Sequence, residues 1–297
     1  MTIDQAAART FLLTHARIIE IRLAEFVLDG VTASAHAAIA GVEAYRNSDG
    51  GFGNGLEADA LAPPSQPLDV DVAFDVLSGI AESTEDTGVR EHAAEVAEAT
   101  LGYLDAVSDS SGGLSIVFPS AAEYPRAEHW GDAVFPPALN PTAKIVANAR
   151  TLGLEHPWID RAADFCRAAV DGLKPDTDAH TALCVLPFLE SDLDRESSQK
   201  AYETLLSGIT QMSLFNLMPG PDYGLTPLDF ASDPSSPRRK YFPAEAIDAH
   251  LDDLVARQQD DGGWTMVWNP PGPRAVNTWR GVITLGALRT LRANGRI

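Results

Sequence analysis

Cysteine and lysine are scarce in this chain. Cysteine occurs only at Cys166 and Cys184 among 297 residues. Two thiols are too few for a disulfide framework, so we expect a reduced, cytoplasmic protein that packs both thiols in its core. Lysine supplies four of the 22 basic residues, a usage that indicates no particular function.

Long hydrophobic runs are also missing from the sequence. A membrane-spanning helix needs about 18 or more consecutive apolar residues, and no such stretch occurs. We therefore expect no integral membrane segment. Asp4 and Arg9 precede Phe11 near the N-terminus, where a secretory signal would carry an uninterrupted apolar segment. The sequence thus predicts no secretory signal there.

The charge balance and several absent motifs exclude further classes of protein. The formal net charge of −20 argues against partners such as nucleic acid or anionic membranes. The sequence has no Walker loop, no Rossmann fingerprint after a strand, no G-x-S-x-G and no H-E-x-x-H. We expect no cofactor and no metal.

A short pattern recurs along the chain. Its frame is an aliphatic residue, then Gln, Gly and an aromatic residue at offsets of four, eight and ten. The clearest copy consists of Leu254, Gln258, Gly262 and Trp264, a second of Val42, Arg46, Gly50 and Phe52, and a degenerate third of Leu104, Ser108, Gly112 and Leu114. A repeated helix end, Gly-rich turn and aromatic residue indicates stacked helical hairpins.

The rest of the pattern is helical. Apolar residues at helical spacing predict about ten helices, separated by loops that contain Gly and Pro. The first such set runs from Phe11 to Phe26, with Gly30 as a stop signal. Alternating β-branched runs are scarce and no flexible linker interrupts the chain. The sequence therefore predicts an all-α fold and a single domain over residues 1–297.

The repeated frame resembles the QW and DGG[FW] repeats of terpenoid cyclases and of protein prenyltransferase β subunits. The resemblance implies an α/α toroid, here a barrel of about five to six helical hairpins. It also implies that the first and last repeats are neighbours, because the ring must close. Gly50 and Gly262 should then lie at equivalent turns with positive φ, which glycine adopts without a Cβ penalty.

Four acidic residues between the first repeat and the next helix are candidate catalytic groups: Glu57, Asp59, Asp69 and Asp71. The segment Asp69-Val70-Asp71-Val72 resembles the DxDD motif of class II terpenoid cyclases, which implies that Asp71 is a proton donor with Asp69 as its partner. Val72 departs from that motif. Helix capping after Pro67 is the structural alternative for Asp69 and Asp71. Glu57 and Asp59 lie in a Gly/Pro loop and are the reserve candidates.

Aromatic residues form the second candidate group: Phe52, Trp130, Tyr241, Trp264, Trp268 and Trp279. In the resembling cyclases such rings line the cavity, where their π-faces stabilise carbocations. We predict that Trp268, Trp279 and Tyr241 line one concave site together with the acidic segment. Phe52 and Trp264 have a structural alternative, because turn aromatics also lock neighbouring hairpins together.

One residue pair has metal-ligand spacing. His180 and Cys184 are four residues apart and share a helix face, and prenyltransferase β subunits hold zinc with Asp, Cys and His. The rest of that family's ligand pattern is not matched, so no metal is predicted. The diphosphate motif DDxxD of class I cyclases is absent as well.

Three functions remain open at this point. The first is a proton-initiated, class II-like cyclase that acts on a small prenyl or other apolar polyene substrate, with a possible second subunit or domain partner. The second is a carbohydrate-active (α/α)-barrel enzyme, since paired acids and aromatic platforms also suit sugars. The third is a non-catalytic binding scaffold, which the departure at Val72 favours.

Overall fold

The computed structural model describes residues 2–174 and 177–297, and it confirms the all-α fold. Its α-helices are α1 (Gln5–His15), α2 (Ile18–Asp29), α3 (Thr32–Glu43), α4 (Pro67–Glu82), α5 (Thr87–Glu98), α6 (Leu101–Val107), α7 (Leu139–Thr151), α8 (Pro157–Val170), α9 (Ala179–Glu190), α10 (Glu196–Ser207), α11 (Pro227–Phe230), α12 (Ala244–Ala256) and α13 (Pro273–Ala293). Four short 3₁₀ helices lie between them, at Pro119–Glu123, Glu128–Trp130, Ile209–Gln211 and Pro237–Tyr241. Over the same two ranges, β-structure is limited to isolated bridges. Every helix there is too short or too polar to cross a bilayer.

The first helical pattern is divided into two helices. The apolar spacing continues from Phe11 to Phe26, but the backbone at Ala16 and Arg17 is extended, with ψ near 162° at both residues. The Glu20 side chain accepts the backbone N–H of Arg17 at 3.2 Å, which caps the start of α2. Gly30 ends α2 with φ 72°, as its position predicts.

The three copies of the repeated pattern form the same tight turn. Gly50, Gly112 and Gly262 have φ of 87°, 90° and 89°. Each of these glycines donates its N–H to the carbonyl three residues earlier, at 3.0, 3.0 and 2.8 Å. The residue that accepts this bond donates its own N–H to the carbonyl just after the glycine, at 2.8, 3.0 and 2.8 Å. The predicted positive φ at Gly50 and Gly262 is confirmed, and the degenerate third copy shares it.

Two of these turns pack against the backbone of another helix. A Cβ atom at Gly112 would lie 2.6 Å from the Ala162 nitrogen in α8. A Cβ atom at Gly262 would collide with the backbone of Ala7 in α1. Glycine is therefore required at these positions for close approach as well as for φ.

In two of the three copies, the polar residue of the frame bonds its turn to another part of the chain. The Gln258 amide donates to the carbonyls of Gly262 and Asp4, both at 2.9 Å, and accepts the Asp4 N–H at 2.9 Å. Arg46 likewise donates to the carbonyl of Gly50 and to the hydroxyl of Thr100. The last repeat is thus docked on the first helix, and α1 also packs on α13. A closed ring requires these contacts, and the toroid itself remains our prediction.

Candidate functional site

A loop between the first repeat turn and α4 is held from two sides by arginines. Arg17, at the start of α2, donates to the carbonyl of Leu56 at 2.6 Å. Arg274, in the first turn of α13, donates to the carbonyl of Asn54 at 2.6 Å. Both bonds are charge-assisted and join the loop to the two ends of the chain. They fix the segment that carries two of the predicted acids.

Three of the four predicted acids meet at this loop. Glu57 and Asp59 are both buried, and Asp69 in α4 is fully buried. The Asp69 carboxylate accepts the backbone N–H of Glu57 at 2.8 Å, and the Glu57 carboxylate accepts the backbone N–H of Asp59 at 2.8 Å. The second oxygen of Asp69 has no hydrogen-bond partner among the described residues. The hydrogen bonds form a short relay from α4 to the loop.

Burial raises the pKa of the carboxyl groups at this loop. Burial raises the pKa of Glu57 well above its usual range, and the charges of Asp59 and Asp69 raise it further. Burial likewise raises the pKa of Asp69 well above its usual range, against the opposing effect of the N–H groups of Glu57 and Leu56. The protein interior thus favours the neutral form of both groups.

Asp59 is the acid that reaches the aromatic residues. Its carboxylate accepts the indole N–H of Trp279 at 2.8 Å. Burial raises the pKa of Asp59, and the indole N–H groups of Trp279 and Trp268 act against that rise. The Trp268 indole N–H lies near the Asp59 carboxylate without meeting hydrogen-bond geometry. Its nitrogen is buried and has no hydrogen-bond partner among the described residues. Both indoles are placed to stabilise the Asp59 anion.

Three rings form a connected aromatic cluster, which we define as Tyr223, Trp268 and Trp279. Trp268 meets Trp279 edge to face, with ring centroids 5.1 Å apart, and Tyr223 meets Trp268 in the same way at 5.5 Å. The Tyr223 hydroxyl lies 2.8 Å from the Nε2 atom of His180. Because Tyr223 is 39% exposed, the cluster is half-open to solvent.

Tyr223 and His180 were not among the predicted site residues. His180 stands in the first turn of α9, whereas Tyr223 lies in the loop between the 3₁₀ helix Ile209–Gln211 and α11. Long Pro-rich loops are often functional, and that is the one signal by which the sequence marks Tyr223. Its contact with Trp268 joins residues that are distant in sequence, and no sequence pattern predicts it.

Asp71 lies in different surroundings from Asp69. The Lys144 ammonium group in α7 lies 3.7 Å from Asp71 and 2.9 Å from Asp75. Burial raises the pKa of Asp71 to about 6, with the attraction of Lys144 opposing the rise. Residues two apart on a helix point to different faces. The predicted pairing of Asp69 with Asp71 is therefore wrong, since each carboxylate has another partner.

Helix capping does not explain the two aspartates of α4 either. The N-cap of α4 is Gln66, and no side-chain hydrogen bond caps this helix. Asp69 faces the loop that carries Glu57, and Asp71 faces α7. Neither aspartate therefore caps α4 through a side-chain hydrogen bond.

Phe52 and Trp264 are buried beneath their repeat turns. Both are nearly inaccessible to solvent. The Trp264 indole donates to the carbonyl of Leu254 at 2.8 Å, within the same repeat. The guanidinium carbon of Arg46 lies 4.5 Å from the centre of the Phe52 ring. These contacts favour the structural alternative, in which both rings lock hairpins together.

Tyr241 and Trp130 lie outside the aromatic cluster. Tyr241 packs against the main core, with the Lys240 ammonium 5.1 Å from its ring centre. The described contacts of Tyr241 do not include Trp268 or Trp279, and its place in a common site stays a prediction. Trp130 packs edge to face on Phe135, 5.8 Å away, in a second and smaller hydrophobic cluster. That cluster packs the segment 116–135 against Ala60, Ala62 and Leu68.

His180 and Cys184 have separate partners in the structure. His180 is joined to Tyr223, and Cys184 is buried next to Lys144, Asp71 and Asp75. Burial, first of all, raises the pKa of the Cys184 thiol. Within residues 2–174 and 177–297, no three or more His, Cys, Asp or Glu side chains come together in a way that suits a metal ion.

Two surface cavities lie away from the acids and the aromatic cluster. One is lined by Gln5, Arg9, Leu28, Leu288, Arg292 and Ile297. The other is lined by Arg167, Val170, Asp171, Phe188, Leu189, Ser197 and Ser198. Both linings mix charged or polar residues with apolar ones, unlike the ring-lined apolar pocket of an isoprenoid enzyme. The candidate site is the half-exposed aromatic cluster, joined to the buried acids by the bond from Trp279 to Asp59.

Comparison with known proteins adds no family to this geometry. A scan of the sequence against models of protein families found no matching family, and a search of curated proteins found no significant match. The function is therefore inferred from the residues of the chain itself.

The buried acids predict a particular pH dependence of stability. In the folded chain, Glu57 and Asp69 keep their protons to higher pH than in the unfolded chain, where carboxyls titrate near about 4. Unfolding therefore releases protons above that pH, and rising pH lowers the contribution of these groups to the free energy of unfolding. We expect Glu57→Gln to remove part of this decline.

Urea denaturation at several pH values between about 4 and 8 measures the effect. The matched control is Glu91→Gln, because Glu91 is exposed on α5. The slope of unfolding free energy against pH should become less negative in Glu57→Gln than in Glu91→Gln. Equal slopes in the two variants would contradict the assignment of Glu57 as a neutral buried acid.

Proposed function

We propose that the chain is a proton-initiated enzyme of the terpenoid cyclase type, with Asp59 as the acid. Its substrate is a small neutral polyene of isoprenoid character, held against the aromatic cluster. The observation that carries this proposal is one carboxyl group with a raised pKa, bonded to Trp279 at the base of that cluster.

Asp59 suits proton donation better than Asp71 does. An alkene is a very weak base, so its donor needs a neutral carboxyl whose anion is stabilised once the proton has left. The indole N–H of Trp279 already points at the Asp59 carboxylate. Asp71 instead lies beside the Lys144 ammonium, which stabilises its charged form before any reaction. Asp71 also lacks any described contact with the three rings.

The reaction can be written on these groups with all atoms accounted for. The Asp59 proton passes to one carbon of the terminal double bond, and the π electrons form the new C–H bond. The positive charge left on the adjacent carbon is attacked by the next double bond, which closes a ring. The π-faces of the aromatic cluster stabilise that charge. Water takes a proton from the final cation and the Asp59 carboxylate takes one from solvent, which balances the reaction as an isomerisation and restores the acid.

A carbohydrate-active enzyme is the second candidate, and one observation favours it. Asp59 and Asp229 both lie close enough to Tyr223 to raise the pKa of its hydroxyl, after burial, to about 12. Two acids beside a half-exposed ring resemble a sugar site. However, the Asp229 carboxylate is engaged by the N–H and the hydroxyl of Thr226 at 2.6 and 2.7 Å. Glycoside hydrolysis needs its second acid free, so this candidate stands second.

We also propose a partner subunit or domain and a cytoplasmic location for the chain. The rim beside Trp268 exposes Val267 to 47% and Tyr223 to 39%, whereas carbocation chemistry requires water to be kept out. A second subunit or domain over this rim would supply that cover. A cytoplasmic location agrees with two free, buried thiols.

The test is a direct comparison of substrate classes. The purified chain is incubated in parallel with neutral linear polyprenyl alkenes and with oligosaccharides, and products are separated by chromatography with mass detection. We expect a cyclic isomer of unchanged mass from a polyprenyl alkene. Release of reducing sugar would establish the second candidate instead. Binding without turnover of either class would indicate a scaffold.

A further inference from the structure

Two histidines from different helices face each other on the surface, away from the candidate site. His36 lies on α3 and His92 on α5. Their Nδ1 atoms are 2.9 Å apart, and their rings stack with centroids 5.1 Å apart and an angle of 29° between planes. The two helices pack against each other along this region. The pair is thus held by the fold, and His36 is exposed to solvent.

The separation of the two nitrogens is close to that of two ligands on one metal ion. Zinc–imidazole bonds of about 2.0–2.1 Å at a tetrahedral angle place two ligand nitrogens about 3.3 Å apart. The observed distance of 2.9 Å therefore needs to open by only a few tenths of an ångström. A net charge of −20 also favours a bound cation.

We propose that His36 and His92 form a binding site for a divalent transition metal ion, such as Ni²⁺, Zn²⁺ or Cu²⁺. Imidazole nitrogen is a preferred ligand for these ions, unlike for Mg²⁺ or Ca²⁺. No third His, Cys, Asp or Glu ligand joins the pair in the described part of the chain, so water fills the other positions. The bound ion would then link α3 to α5 through one ligand on each helix.

Metal binding requires a change in which ring nitrogen carries a hydrogen. In the direct hydrogen bond between neutral rings, one Nδ1 atom carries a hydrogen and the other accepts it. Metal binding needs a lone pair on both Nδ1 atoms. The donor ring therefore shifts its hydrogen to Nε2, and no net proton is released when both rings are neutral.

Calorimetric titration of the full chain with NiCl₂ tests the site. We expect binding in the wild type, and affinity should rise from Co²⁺ through Ni²⁺ to Cu²⁺ with no response to Mg²⁺ or Ca²⁺. His36→Ala and His92→Ala should each weaken Ni²⁺ binding about tenfold or more, because each removes one of two protein ligands. His15→Ala is the control, since His15 is also an exposed helical histidine, and its affinity should match the wild type.

Thermal unfolding with and without Ni²⁺ gives a second measurement. Ion binding to the folded chain alone raises Tm, and this rise should vanish in both variants of the pair. If an alanine variant fails to fold, His92→Asn keeps a polar side chain of similar size at that position. Undiminished Ni²⁺ affinity in a folded variant of either histidine would overturn the proposal, whatever the outcome for the candidate active site.

Discussion

Asp59→Asn is expected to lower kcat on a polyprenyl substrate by about 10²–10⁴-fold, the range that a general acid contributes. Asparagine keeps the shape of the side chain, and its carbonyl oxygen still accepts the indole N–H of Trp279, now 2.8 Å from Asp59. It carries no acidic proton, so the first step of the reaction has no donor. KM and folding should change little. Steady-state kinetics together with far-UV circular dichroism measure both effects.

Two further variants make this expectation specific. Asp260→Asn, at an exposed position in the last repeat, is the matched control and should keep wild-type activity. Asp71→Asn removes the carboxylate beside Lys144 and should chiefly change stability. Full activity in Asp59→Asn with loss of activity in Asp71→Asn would reverse the assignment and return the donor role to the position marked by the DxDD resemblance.

Gly262→Ala is expected to destabilise the chain by about 2–5 kcal/mol, as the sum of two costs. Alanine at φ 89° pays roughly 1–2 kcal/mol for a left-handed backbone. The added Cβ also collides with the backbone of Ala7 in α1, and overpacking of this kind costs about 1–3 kcal/mol. Urea denaturation of the variant and the wild type measures the difference.

Gly30→Ala separates the two costs. Gly30 has φ 72°, and a Cβ there would meet no atom within 4 Å. It should therefore lose only the backbone part, roughly 1–2 kcal/mol. A larger loss in Gly262→Ala reports on the docking of the last repeat turn against the first helix. Equal losses in the two variants would mean that this docking contributes nothing measurable.

The local features of this fold follow from sequence, because short-range geometry determines them. The repeated turn needs a positive φ that only glycine adopts freely, so Gly50 and Gly262 mark it directly. The burial of Trp264 beside its own turn belongs to the same local unit. The division between α1 and α2 was missed, since the apolar spacing continues through Arg17.

The candidate site is held together mainly by contacts between residues that are distant in sequence. The sequence predicts some of its residues but not the contacts between them. The resemblance to the DxDD motif predicts that Asp69 and Asp71 act as a pair. In the helix, however, the two side chains lie on different faces. Lys144, which decides the surroundings of Asp71, is distant in sequence. The bond from Trp279 to Asp59 spans 220 residues. Such contacts depend on how helices pack, and no spacing rule predicts them.

The wild-type reaction in D₂O tests most directly whether Asp59 donates the first proton. A carboxyl group exchanges its proton with solvent, so an acid that starts the reaction delivers deuterium to carbon. We expect a cyclic polyprenyl product with one deuterium at the carbon that was protonated, located by mass spectrometry and NMR, and no such product from Asp59→Asn. A cyclic product without deuterium, or the same labelled product from Asp59→Asn, would contradict this expectation.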